Sequence, residues 1–167
     1  RLPGIRSKGL KGGILYHDGQ FDDARLAINL AQTIIKNGGD AINYIKVTGL
    51  LKDNYGKVNG IIAKDEETDL VFNCKASAVV NATGVFVDDI LMMDKPGSKK
   101  TICVSQGVHI VLEKEFYPSD EALMIPKTSD GRVLFAVPWN HKVVGGTTDT
   151  PVDEATLEPQ ALEKEID

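Results

Sequence analysis

The chain has 167 residues, a formal net charge of −5 and 42% apolar residues. That length suits one large domain or two small ones, and a compact fold of this size buries roughly 70% of its extended surface, so a real core is expected. No stretch approaches the ~18 consecutive apolar residues of a spanning helix. The basic residues are so dispersed that Lys99-Lys100 is a surface pair and not a nucleic-acid tract, so no nucleic-acid partner is expected.

Residues 1–13 are rich in glycine and lack periodicity, which reads as a lead-in loop. After a short apolar run at Ile14, Leu15 and Tyr16, the pair Asp22-Asp23 precedes Leu26, Ala27, Leu30, Ala31, Ile34 and Ile35. Their spacing makes one stripe of an amphipathic helix. Asp22 is its expected N-cap and Gly38-Gly39 its stop.

The period then shortens. Residues 41–47 and 49–52, 58–63 and 70–74 are strand-like, with turns at 53–56 and 65–69, which describes an antiparallel meander. Ala78-Val79-Val80 is wholly apolar, as in a strand buried on both faces, and runs into Asn81-Ala82-Thr83-Gly84. A helix is expected over 87–92. In the second half, residues 102–112, 123–126, 133–137 and 142–145 read as strands, separated in part by Ser129-Asp130-Gly131 and Asn140-His141. The stretch 161–167 is helix-like. The fold class is therefore mixed α/β with more strand than helix.

Arg1 opens the chain without Met or a targeting segment, and the last helix-like stretch has no cap, so the sequence reads as an internal piece of a longer protein. Cys74 and Cys103 have neither a CxxC partner nor a histidine pair at ligand spacing. They are expected to be buried bystander thiols from a reducing compartment, and no metal site is expected.

Three places carry candidate chemistry. Ala82-Thr83-Gly84 follows a strand and opens a helix, where α/β proteins bind nucleotides and where a glycine lets backbone approach a ligand; an ordinary strand-to-helix turn is the plainer reading. His109 alternates with Gly107 and Val111, so it either meets a buried partner or enters a pocket, where an imidazole can serve as a base. His17 and His141 lie in or beside turns and are expected to face solvent. Gly145-Gly146-Thr147-Thr148-Asp149-Thr150 ends a strand with amides and hydroxyls that either line a ligand or brace a tight turn. No GxGxxG follows a strand anywhere in the sequence.

Together these segments resemble FAD-dependent, quinone-linked glycerol-3-phosphate dehydrogenases. The resemblance rests on the run from Gly12 through Asp22-Asp23-Ala24-Arg25-Leu26, on Val80-Asn81-Ala82-Thr83-Gly84, and on Gly107-Val108-His109-Ile110-Val111-Leu112. It continues in Ser129-Asp130-Gly131-Arg132-Val133-Leu134-Phe135-Ala136-Val137-Pro138-Trp139 and in Gly145-Gly146-Thr147-Thr148-Asp149-Thr150-Pro151.

The resemblance implies a partial glutathione-reductase-like FAD domain with its meander over 1–95. It also implies a mainly antiparallel substrate-binding sheet over 96–152 and a truncated helix over 153–167. It implies oxidation of glycerol 3-phosphate to dihydroxyacetone phosphate through FAD, with quinone and a membrane surface as partners. The expected location is peripheral, on the cytoplasmic face of a bacterial membrane or on the mitochondrial inner membrane. Val47 matches the strand position beside the adenine, Ala82, Thr83 and Gly84 the segment along the flavin nucleotide, and His109 a substrate-pocket histidine that takes the C2 hydroxyl proton.

The chain departs from the pattern in three ways. It lacks the GxGxxG whose helix start holds the pyrophosphate, and it lacks the closing C-terminal segment with the arginines that hold substrate phosphate. Val85 and Phe86 stand where many relatives have proline and tryptophan. These residues by themselves are expected to be inactive and to retain FAD poorly. An α-glycerophosphate oxidase, passing electrons to oxygen, and a non-catalytic ligand-binding module are the alternatives.

Overall fold

The computed structural model describes Ile5, residues 8–128 and residues 131–166. Parts of the expected lead-in loop, the separators Ser129 and Asp130, and Asp167 lie outside the described residues. The chain forms two compact units, Gly12–Ser98 and a second made of the described residues of Arg1–Lys11 and Lys99–Asp167.

The first unit begins with helix α1 (Asp23–Lys36). Asp22 caps it, its side chain accepting from the Arg25 amide at 2.9 Å, which satisfies one of the orphan donors of the first turn. At the other end Gly38 takes a φ of +80°, a left-handed conformation that glycine adopts without cost, and the Gly39 amide closes on the Ile34 carbonyl at 3.0 Å. No residue of α1 is buried, and Leu26, Leu30, Ile34 and Ile35 of its apolar stripe are exposed.

Strands β1 (Ile45–Lys52), β2 (Val58–Asp65) and β3 (Val71–Lys75) form an antiparallel meander in the order β1-β2-β3. Residues 41–44, expected to be extended, stay outside β1, because Tyr44 takes a positive φ of 56° that ends regular pairing. The predicted break at Thr48 is a register shift within one continuous strand. The first hairpin turn is held by Asp53, whose carboxylate accepts from the Tyr55 and Lys57 amides at 2.9 Å each. The second turn uses Asp65, which accepts from the Glu67 amide at 2.8 Å and the Thr68 hydroxyl at 2.8 Å. Those bonds, the Thr68 hydroxyl's first, hold the Asp65 carboxyl below its ordinary range.

Ala78, Val79 and Val80 form no strand, and Val80 is 85% exposed. A strand buried on both faces needs ladder partners, and the described residues supply none for this segment. After a single 3-10 turn (Gly84–Phe86), helix α2 (Val87–Asp94) runs two residues further than its periodicity predicts and packs on β1. Lys52 pins its end, with Nζ 2.9 Å from Asp94 Oδ1.

In the second unit the expected strand over 102–112 is two strands in two sheets. β4 (Ser105–Gln106) pairs with β9 (Thr150–Pro151). β5 (His109–Glu113) joins β6 (Leu123–Ile125), β7 (Leu134–Trp139) and β8 (Lys142–Gly146) in an antiparallel sheet ordered β5-β8-β7-β6. The β7–β8 hairpin turns on Asn140 and His141, both at positive φ, the geometry that matches strand twist in two-residue hairpins. The chain closes with α3 (Glu163–Ile166), a single turn.

The expected core is smaller than the length predicts. Among the described residues the buried apolar side chains are Ala63, Tyr117 and Val143, because sheets and helices bury a face only where another element covers it. Both thiols are exposed, not buried. Cys74 lies on β3, an edge strand whose residues are all exposed, and Cys103 precedes β4 in an irregular segment.

Candidate functional site

Antiparallel pairing puts directly opposed residues on one face. In the four-stranded sheet the rows therefore read His109–Gly146–Phe135–Met124, then Val111–Val144–Val137, on a single face. Val143 and Gly145, on the opposite face, are buried, whereas His109, Val111 and Met124 are exposed. His109 thus stands exposed at the start of β5.

Two glycines shape its surroundings. A Cβ on Gly146 would lie 2.7 Å from Cδ2 of His109 and 3.1 Å from the Val108 carbonyl oxygen, so the imidazole lies against bare backbone. A Cβ on Gly107 would meet the Thr148 carbonyl oxygen at 2.2 Å and Thr147 Oγ1 at 2.4 Å. Segments 107–109 and 146–148 approach each other more closely than any side chain allows.

The hydroxyls of the Gly-Gly-Thr-Thr-Asp-Thr stretch are turned into this junction. Thr148 Oγ1 accepts from the Val108 amide at 2.9 Å, and Thr147 Oγ1 donates to the Thr148 carbonyl at 2.8 Å. Thr148 Oγ1 in turn donates to Glu165 Oε1 at 3.3 Å. Glu165 Oε2 accepts from the Leu162 amide and from Gln106 Nε2, both at 2.9 Å. The Leu162 amide first, and then the Gln106 side chain, hold the Glu165 carboxyl below its ordinary value although burial opposes this. Of this arrangement the sequence reading singled out His109 and the threonines. It missed Glu165, Gln106 and the steric part of the glycines, because each depends on a partner distant in sequence.

The other candidates lie in the first unit. Val47 is half-buried on β1, opposite Ala63 of β2, which is fully buried, and one residue before the register shift that re-aims the strand. Ala82, Thr83 and Gly84 form one exposed turn ahead of α2. Asn81 organises it: Oδ1 accepts from the Thr83 hydroxyl at 2.8 Å and Nδ2 donates to the Val87 carbonyl at 2.9 Å. Gly84 has a φ of +57° and open space where a Cβ would project. Among the described residues no cluster of histidine, cysteine, aspartate and glutamate could hold a metal ion.

The model of the FAD dependent oxidoreductase family matches residues 1–166. The chain belongs to that family. It is 43% identical over 168 residues to a probable mitochondrial glycerol-3-phosphate dehydrogenase of Caenorhabditis elegans, covering 100% of this chain and 23% of that protein. It is 39% identical to the mitochondrial glycerol-3-phosphate dehydrogenase of Schizosaccharomyces pombe, covering 98% of this chain and 27% of the relative. The chain therefore spans about a quarter of the length of these curated relatives. Among solved structures it is similar to the glycerol-3-phosphate dehydrogenase of Bacillus halodurans complexed with FAD, with a TM-score of 0.78 and 36% identity over 87% of this chain and 29% of that one. The mixed α/β class with antiparallel sheets agrees with the sequence reading, as does the family.

Proposed function

We propose that this chain supplies part of the FAD site and the substrate face of a flavoprotein that oxidises glycerol 3-phosphate to dihydroxyacetone phosphate and passes the electrons to a quinone. The observation that carries the reading is His109, exposed at the start of β5 and set against Gly146, in a chain about 40% identical throughout to proteins named for that reaction. In this reading residues 1–95 serve the nucleotide and residues 96–152 the substrate.

The turn at residues 82–84 fits a nucleotide. Its glycine is left-handed, exposed and free of neighbours, so a ligand can reach backbone that a side chain would shield. Ala82, Thr83 and Gly84 would hold the flavin nucleotide, and Val47 the adenine end. When bound, FAD supplies the acceptor for the hydride that leaves C2 of the substrate. The His109 imidazole takes the proton of the C2 hydroxyl, so loss of proton and hydride together leaves the C2 ketone. A histidine suits this step because a neutral imidazole nitrogen carries a lone pair that can accept the proton.

The membrane that holds the quinone is the bacterial inner membrane or the mitochondrial inner membrane, with peripheral attachment. Several relatives are named as mitochondrial enzymes, which supports the second.

The test is His109→Gln in the full-length gene product. Turnover of glycerol 3-phosphate per bound FAD is expected to fall by about 10²-fold or more, with FAD content unchanged. Unaltered turnover would remove His109 from the chemistry. Reduction of a soluble quinone without hydrogen peroxide formation would support the acceptor, and stoichiometric peroxide would replace it with oxygen.

A further inference from the structure

We propose that Glu165 is a positioning residue for His109, acting through Thr148 and the Val108 amide; the role rests on the base assignment above. Glu165 is only 9% exposed and lies in the last turn of the described chain. Its carboxylate gathers donors from the Leu162 amide, Gln106 Nε2 and Thr148 Oγ1, with the Thr150 side chain as a further donor.

An ionised carboxylate can only accept hydrogen bonds. The Thr148 hydroxyl proton is therefore committed to Glu165, and a lone pair of the same oxygen is left facing the Val108 amide 2.9 Å away. Val108 immediately precedes His109, and Gln106 ends β4. The carboxylate thus holds the 106–108 segment at both ends, directly through Gln106 and by way of Thr148 at Val108. Between those two points Gly107 sits hard against the Thr148 carbonyl, so the short link can shift only if the 146–148 segment shifts with it. The seat of the imidazole over Gly146 is set by this link. A neutral amide at position 165 no longer dictates the direction of the Thr148 hydroxyl, and the link loses its register.

The test uses the full-length gene product. In Glu165→Gln, hydrogen exchange of the Val108 amide is expected to accelerate about tenfold, while the Ile61 amide in the meander is unchanged. Turnover per bound FAD is expected to fall about tenfold with KM within about twofold, since misplacing a catalytic group by even about 1 Å costs rate. Thr148→Val is expected to reproduce both effects, and the double variant to add nothing, as two residues on one path should behave.

Should Glu165→Gln fail to fold, the pair Thr148→Val and Thr148→Ser decides: only the serine, which keeps the hydroxyl, is expected to preserve turnover and Val108 protection. Additive losses in the double variant, or unaltered turnover in both single variants while His109→Gln is inactive, would overturn the positioning role alone. Full turnover in His109→Gln would overturn the base assignment and this inference together.

Discussion

The imidazole of His109 lies against Gly146 so closely that a single methyl group there would stand 2.7 Å from the ring. The contact is between a side chain and bare backbone, and the side chain is the part that can yield. Gly146 also takes a φ of +157°, a backbone conformation that side-chain-bearing residues rarely adopt, so Gly146→Ala is expected both to push the ring aside and to strain β8. Turnover per bound FAD of the folded fraction of the full-length gene product should drop at least about tenfold, with a lowered thermal midpoint. A large loss of folded protein with unaltered specific activity would show that the glycine serves the sheet and not the ring.

Gly107→Ala is a different case. The obstructing atom is the Thr148 carbonyl oxygen at 2.2 Å, part of the backbone, and it cannot rotate away. Relief requires separating segments 107–109 and 146–148, at a cost of about 1–3 kcal/mol or more, as for an overpacked core. Urea unfolding is expected to show an earlier midpoint with an unchanged slope. Equal stability would mean that the close approach is absent in solution.

Local signals were legible and distant ones were not. The Asp22 cap, the Gly38 stop and the turns at Asp53 and Asp65 depend on bonds within a few residues, and the sequence pattern located each of them. The division of 102–112 into two strands depends on Thr147 and Thr148, some 40 residues onward. Glu165 was placed only in a terminal helix-like stretch, since its partners Gln106 and Thr148 lie 59 and 17 residues away. Val80 misled because an apolar run signals burial only when neighbours exist to bury it.

Stability of the second unit is expected to depend on pH through Glu165. Its carboxyl is held below the ordinary glutamate value in the folded chain, so the unfolded chain binds a proton more readily. The resulting stabilisation is fully present above the unfolded pKa and is lost as pH falls through the folded one. Chemical unfolding measured from neutral pH down through the carboxylate range should show a decline that Glu165→Gln flattens. An identical pH slope in the variant would show that this carboxylate is not shifted.

A preparation of these 167 residues alone is expected to be colourless. The sequence holds no GxGxxG, the turn whose amides and helix start secure a dinucleotide pyrophosphate. The exposed turn at residues 82–84 offers one glycine in its place. Visible absorption after gel filtration in excess FAD measures this directly, and a stoichiometric flavin band would contradict it.

The strand order β5-β8-β7-β6 also fixes a sequence of events. β6 meets β7 and β7 meets β8 through nearby residues, whereas β5 waits for partners 29 to 37 positions further along. Contacts distant in sequence carry a larger closure entropy and form late. The meander of the first unit, built wholly from neighbouring hairpins, faces no such delay. The strand that carries His109 is therefore the last to join its sheet, and the β5 amides that bond to β8 should gain pulse-labelled protection after the amides bonded between β7 and β8. During synthesis β5 leaves the ribosome before β7 and β8 exist to receive it, so for that interval its apolar residues are open to chaperones.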